Sequence, residues 1–395
     1  MYKTKKWSRF QHKISAFSHQ AEKYQPSVIR RRVELQDRRI MPGKVKGLMD
    51  RLHDGESVVI AEGYLHLFER RGYLQAGAYV PEVVLEYPEM VRLQYEEFYR
   101  AGSDVVLAFT YYAHREKVSL IDREADLEKM NRTALRMARE VADKTGSLMA
   151  GNICNSNIYV PNDPDITAKI KSMFKEQIEW AVEEGADFIL AETFSDLGEA
   201  LLALEAVKTY GKGLPVVVTM AWHKNEVNGR PATIDGVEIC ETFKQLEAAG
   251  ADVLGLNCAR GPTTMLPLME EVKKCIKTPL AAIPVPYRTT KAEPNFQSLT
   301  DPLSGKRLFP EDLNAALCSR SDIKEFGRRC QELGIQVVGV CCGNECHYTR
   351  TLCETLGRTV PASRYSADMS KHYIFGTSEK LSTRYTSGEG KQHTA

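Results

Sequence analysis

The sequence predicts an α/β protein built as one (β/α)8 TIM barrel, on three observations. Short apolar, β-branched runs recur eight times along the body of the chain, as parallel strands buried on both faces require. Longer amphipathic segments separate them, with apolar residues gathered on one side. Three of the runs begin with one shared phrase: Ala101-Gly102-Ser103-Asp104, Glu184-Gly185-Ala186-Asp187 and Ala249-Gly250-Ala251-Asp252. The glycine there ends the preceding helix in a left-handed turn and drops the chain into the next strand. Strand and helix alternating eight times over is the pattern of a barrel.

In chain order the expected strands are Val58–Gly63 (VVIAEG), Asp104–Thr110 (DVVLAFT), Leu148–Cys154 (LMAGNIC) and Asp187–Phe194 (DFILAETF). Pro215–Met220 (PVVVTM), Asp252–Cys258 (DVLGLNC), Leu280–Val285 (LAAIPV) and Gln336–Cys342 (QVVGVCC) complete the set. Between the first two, Pro88–Ala101 places Met90, Val91, Leu93, Tyr95 and Phe98 on one broad helical face. Ser172–Glu184 does the same with Met173, Phe174, Ile178 and Val182. A doubly wound open sheet would more often follow its first strand with a glycine-rich phosphate turn, and AEGYLHLF is not one.

At 395 residues the chain could hold two domains or one large barrel. Apolar content of 43% and charged content of 27% are ordinary for a globular protein, and a net charge of +1 gives no general case for nucleic acid or an anionic membrane. Ten cysteines are too dilute for a small secreted disulfide framework. There is no apolar run of transmembrane length and no signal-peptide core. These features predict a reduced, cytoplasmic protein. Residues 1–50 nevertheless carry 13 Lys and Arg against 4 Asp and Glu. That arm reads as a solvated basic extension or as a mitochondrial-type transit peptide. The expected organisation is a basic extension over 1–51, the barrel over 52–362, and a flexible tail over 363–395, rich in Ser, Thr, Lys and Gly.

Functional side chains of such a barrel belong at the C-terminal strand ends. Those ends read Glu62, Tyr111 and Tyr112, Asn152 and Cys154, Glu192, Met220 with Trp222, Asn257 and Cys258, and last Cys341 and Cys342. Adjacent cysteines make a poor disulfide with each other, which leaves a metal, a redox pair or a plain core for Cys341 and Cys342. Cys258 at the end of the sixth strand can converge with the pair ending the eighth. Three thiolates suit Zn2+ and leave its fourth position open, the arrangement of a catalytic site. Cys346 and His347 could add local ligands, but tetrahedral sites usually space their cysteines, and Cys346 is expected to face the following helix. Cys154 is read as an apolar filler. Cys240, Cys275, Cys318, Cys330 and Cys353 fall in helical patterns and are read as core or surface thiols.

The residues resemble the homocysteine S-methyltransferases, and within them the betaine–homocysteine enzymes. The likeness covers roughly 52–362 and is carried by RRGYLQAGAYVPEVVLEYPEMV, AGSDVVLAFTYYAHREK, GADFILAETF, GADVLGLNC and GVCCG. It implies the same barrel, with Cys258, Cys341 and Cys342 as zinc ligands that activate homocysteine sulfur for attack on a methyl group. It also implies that Glu192 holds the substrate ammonium and that Asn257 orients the ligands around Cys258. A cationic methyl donor would rest on aromatic faces by cation–π attraction, supplied by Tyr79, Tyr111 and Tyr112 with Tyr64 nearby.

Four departures touch substrate or donor. Ala61-Glu62-Gly63 stands where the family has Asp-Gly-Gly, whose aspartate helps to bind the amino acid. Glu62 is expected to take that place, but it is displaced by one residue, and such a shift on a strand changes the face it points to. Tyr79 replaces a tryptophan, Thr193 stands beside Glu192 where the betaine enzymes have an aromatic residue, and Val340 replaces a glycine before the cysteine pair. The expected partners are therefore homocysteine and an onium donor, betaine first. S-methylmethionine, dimethylsulfoniopropionate, another thiol acceptor, or a zinc-binding homologue without turnover are the alternatives. Any homo-oligomer is expected to form without the long C-terminal arm of the betaine enzymes.

Overall fold

The eight apolar runs pair edge to edge and close on themselves. A computed structural model of the chain describes residues 45–382. Most of the basic arm and the end of the tail lie outside the described residues. The strands are β1 (Val58–Ala61), β2 (Val105–Leu107), β3 (Leu148–Cys154), β4 (Phe188–Phe194), β5 (Val216–Met220), β6 (Val253–Asn257), β7 (Leu280–Ile283) and β8 (Val337–Val340). Neighbours run parallel in sequence order, and β8 closes the ring onto β1 with Val58 opposite Val337 and Ile60 opposite Gly339. Nearly every strand residue is buried. The strand cores are apolar on both faces because one face fills the barrel and the other meets the helices.

The helices show where periodicity reads correctly and where it does not. Pro88–Ala101 buries Val91, Tyr95 and Phe98, but Leu93 is 44% exposed; two residues from Val91, it is turned about 200° away. The helix expected from Ser172 begins at Pro164, where the Asp163 carboxylate accepts from the Asp165 and Ile166 amides, and it runs to Glu183. Cys318 lies in a loop before the helix Arg320–Leu333 rather than inside one. Cys240 and Cys275 are not separate thiols: they form a disulfide between the helices on either side of β6, with Cα atoms 5.6 Å apart. Sequence spacing carries no signal for that pairing, because the two cysteines meet only through the barrel. Leu48 and Leu52, on a helix before β1, are buried in the same core. No described helix is long and apolar enough to cross a membrane.

The repeated strand-start phrase has a structural job. Gly102, Gly185 and Gly250 all take positive φ. Asp104 then donates its amide to the Val59 carbonyl and accepts the Val59 amide on its carboxylate at 2.7 Å. Asp187 repeats both bonds with Met149, and Asp252 with Val216. A cation meets each carboxylate: Arg358 at 2.5 Å, Arg139 at 3.0 Å and Lys208 at 3.2 Å. The phrase thus ties β1 to β2, β3 to β4 and β5 to β6 at the N-terminal rim.

Candidate active site

At the opposite rim, β6 and β8 are held against the end of the strand between them. The Cys258 amide donates to the Ile283 carbonyl at 3.0 Å and the Cys341 amide to the Pro284 carbonyl at 2.8 Å. Both chains lean on consecutive residues, and the sulfurs of Cys258, Cys341 and Cys342 come within 4.8 Å of one another. Gly63 and Gly343 make this approach possible. Both have positive φ, and a Cβ would lie 2.6 Å from the Cys341 carbonyl oxygen at Gly63 and 2.4 Å from the Tyr287 hydroxyl at Gly343. Hydrogen bonds from Cys341 and Cys342 hold the Cys258 thiol well below the usual range, while the same neighbour pushes their own values up. A tetrahedral ion with bonds near 2.3 Å sets sulfurs roughly 3.8 Å apart, a spacing compatible with three sulfurs that lie within 4.8 Å of one another.

Two chambers meet at the thiols. The inner one, about 30 Å³, is lined by Glu62, Asn152, Glu192 and Cys341 among others. Glu192 accepts from the Asn152 amide at 2.6 Å and from the Asn257 amide at 2.6 Å. Burial raises its pKa to about 7, against the pull of the Asn152 bond. Glu62 points into the same chamber, its carboxylate within 4.8 Å of Glu192 and Cys341. β1 ends at Ala61, which releases the next side chain from the strict alternation of the strand. Both Glu62 oxygens are buried without a hydrogen-bond partner among the described residues, and burial beside Glu192 pushes the carboxyl well above its usual range. Two buried carboxyls facing one chamber invite a cation. Asn257 acts on this side rather than on the thiols, donating to Glu192 and Thr193 and accepting the Thr193 amide.

The outer chamber, about 310 Å³, shares Leu65, Tyr111, Thr193, Cys258 and Cys342 with the inner one and adds His66, Tyr79, Tyr112, Phe296 and Phe309. Tyr111 and Tyr112 have ring centroids 4.4 Å apart, and Tyr79 stacks on His66 at 5.6 Å. Of ten described non-glycine residues with positive φ, six line this chamber: Tyr79, Tyr112, Asn157, Thr193, Cys258 and Ala259. Such conformations persist only where the surroundings enforce them. For Tyr112 the enforcing group is Cys154, whose sulfur accepts the Tyr112 amide at 3.3 Å; Cys154 is a positioning residue rather than mere filler. Tyr64 lines the inner chamber rather than the aromatic one, packed on Tyr95, Phe98 and Phe109. Cys346 opens the helix Cys346–Thr355 and stays outside the three-sulfur set.

The sequence reading did not single out His66, Ser195, His223, Phe296 or Phe309. Ser195 and His223 lie one and three residues beyond the ends of β4 and β5, so a longer reading of the strand ends finds them. The two phenylalanines come from the aperiodic stretch after β7, where nothing local marks them.

Comparisons with known proteins place this geometry. The family model described as homocysteine S-methyltransferase matches residues 65–356. The chain is 32% identical to betaine–homocysteine S-methyltransferase 1 of Mus musculus, covering 86% of this chain and 81% of the mouse protein. It is also 32% identical to an S-methylmethionine–homocysteine S-methyltransferase of Pongo abelii, over 87% of this chain and 90% of that one. In fold it is similar to the metallated homocysteine methyltransferase MmuM of Escherichia coli, with a TM-score of 0.58 at 17% identity over 76% of this chain and 97% of MmuM.

Proposed function

The chain belongs to the homocysteine S-methyltransferase family, and on that premise we propose that it moves a methyl group from a small onium donor, glycine betaine foremost, to homocysteine, giving methionine. The observation that carries this reading is the convergence of three thiols at the wall shared by two chambers, one acidic and one aromatic. Cys258, Cys341 and Cys342 would hold zinc, and three converging free thiols fit that ion's preference for thiolate. Zinc bound there supplies the Lewis acidity that keeps homocysteine sulfur deprotonated at neutral pH, where a free thiol is mostly protonated.

The protein's own groups do the rest. Glu62 and Glu192 face the amino acid's ammonium group, which answers the two partnerless Glu62 oxygens. Asn152 and Asn257 hold Glu192 in place. Tyr79, Tyr111 and Tyr112 offer ring faces to the donor's cationic head. The sulfur lone pair then forms the S–CH3 bond as the C–N bond breaks, and the bonding pair leaves with the tertiary amine. Ring faces packed round the donor's head would limit the access of water to the methyl group. A sulfonium donor is the second reading, supported by the likeness to the S-methylmethionine-dependent relatives. The test is methionine formation from homocysteine and glycine betaine by zinc-loaded protein, with a Cys342→Ala control. Product that vanishes in the control is expected. No product from betaine, with zinc bound at one per chain, would remove betaine and turn the search to sulfonium donors.

A further inference from the structure

The outer chamber has a polar end that the aromatic reading leaves unused. His223 lies against Ser195 with Nε2 3.1 Å from the hydroxyl, and its Nδ1 is 3.4 Å from the Asn295 amide nitrogen. Serine, histidine and a third group in line resemble a nucleophile with its base, but the proton placement argues otherwise. Asn295 is buried, its Oδ1 accepts the Lys224 amide at 3.0 Å, and its Nδ2 donates to the Trp222 carbonyl at 3.3 Å. The amide orientation is therefore set from both sides, and Nδ2 donates to His223 Nδ1. That leaves the proton on Nε2, which donates to Ser195 Oγ. Burial lowers the His223 pKa, so the ring is a neutral donor, not a base. The Ser195 hydroxyl proton meets no acceptor among the described residues and is free to enter the chamber that both side chains line.

The backbone here is held as firmly as the ring. Arg260, two residues past Cys258, donates Nε to the Trp222 carbonyl at 2.7 Å and a terminal nitrogen to the His223 carbonyl at 3.1 Å. The result is a fixed chain of donors, Asn295 to His223 to Ser195, ending in an O–H aimed at the ligand space. Two further chamber atoms, the Tyr79 hydroxyl and Gln297 Oε1, are buried without partners among the described residues, so the space is shaped for a ligand with polar ends. Among the described residues, no Asp, Glu, Lys or Arg lines it. Lys117, close to this wall, is engaged over the Tyr112 ring at 4.1 Å and with the Ala78 carbonyl at 3.3 Å.

We propose that Ser195 and His223 are specificity-determining residues that receive the anionic end of the methyl donor, so that this chain selects onium donors carrying a carboxylate and no additional ammonium group. The inference rests on the methyl-transfer reading above. An onium head satisfied by ring faces still leaves a carboxylate to be solvated, and a preset O–H donor does this without a buried cation. A donor with a further ammonium would bring a charge that no lining side chain answers.

The test has a kinetic arm and a binding arm. With glycine betaine, Ser195→Ala and His223→Phe are expected to raise the betaine KM on the order of 10- to 100-fold, the loss of one hydrogen bond to a charged group, while kcat falls far less. Ser195→Thr, which keeps the hydroxyl, should restore the wild-type KM, and the homocysteine KM should not follow the change. In calorimetry, 3,3-dimethylbutanoate, the carbon isostere of betaine that has no methyl to give, should bind wild type and lose the same factor in Ser195→Ala. Its alcohol, 3,3-dimethylbutan-1-ol, should bind both proteins alike. An active wild type whose betaine KM is unmoved by both substitutions overturns the inference. A wild type that shows Ser195-dependent binding of the carboxylate but makes no methionine keeps the inference and overturns the donor reading.

Discussion

The two rims of the barrel are built on opposite rules. At the N-terminal rim Asp104, Asp187 and Asp252 each exchange two hydrogen bonds with the neighbouring strand and meet a cation, so the polar groups there are answered. At the C-terminal rim six residues are bent into left-handed backbone, three thiols crowd together, and Glu62, Asn152, Tyr79 and Gln297 keep buried atoms without partners among the described residues. Unsatisfied groups and strain are destabilising, and they persist here because the other rim and the packed strands hold the ring closed. The contrast teaches that stability and chemistry occupy separate ends and can be altered separately.

The largest expected break in that contrast is Cys258→Ser. It should lower methyl transfer by on the order of a thousandfold, the several kcal/mol a Lewis acid supplies. Bound zinc by elemental analysis should fall with it, and the urea midpoint should barely move. A variant that keeps both zinc and turnover would remove Cys258 from the ligand set. Next in size is a pH effect beyond the C-terminal end of β2. Burial, reinforced by the nearby Lys117 cation, lowers the His114 pKa from an ordinary 6.5 to about 4. The unfolded chain therefore binds a proton that the folded chain refuses between these values. Stability is then lost as pH falls from 6.5 toward 4, on the order of 3 kcal/mol in all. Urea unfolding at pH 7 and pH 4.5 checks it, and His114→Phe should flatten that part of the profile.

Asp187→Ala acts at the other rim. It should destabilise by about 1.5–3 kcal/mol, the loss of a charge-assisted bond to the Met149 amide, with kcat unaffected. A change in kcat would show that the rims are coupled. Cys154→Ala is the smallest effect. Freeing the Tyr112 amide should raise the donor KM by roughly fivefold to tenfold, the worth of about one hydrogen bond, and leave the homocysteine KM where it was.

How much of this was legible in the sequence follows from how local each feature is. The strands were, because burial on both faces writes an unbroken apolar run. The thiol cluster was, because the barrel rule directs attention to strand ends and Cys258, Cys341 and Cys342 stand at two of them. Glu62 was legible as a strand-end carboxylate, but the direction it points was not, since that depends on where β1 stops. Asn257 was expected to serve the ligands, but its hydrogen bonds go to Glu192 and Thr193. The Cys240–Cys275 bridge and the Asn295–His223–Ser195 chain were invisible, because each joins segments that only the closed barrel brings together. Asp104, Asp187 and Asp252 were seen as repetition, yet the bonds they make required the neighbouring strand.

The rim ties also give the ring a history within each folding event. The three carboxylate bonds span 45, 38 and 36 residues, short loops whose closure entropy is modest. The eighth strand has no such tie: in Leu333-Gly334-Ile335-Gln336 a glutamine takes the aspartate's place and reaches 284 residues back to the Leu52 carbonyl. Arg358 likewise reaches back 254 residues to Asp104. Local pairs can therefore form first, and the circle closes last across a seam between β8 and β1. The strand that completes the circle is also the one that delivers Cys341 and Cys342, so the three-thiol corner is complete only once β8 has docked.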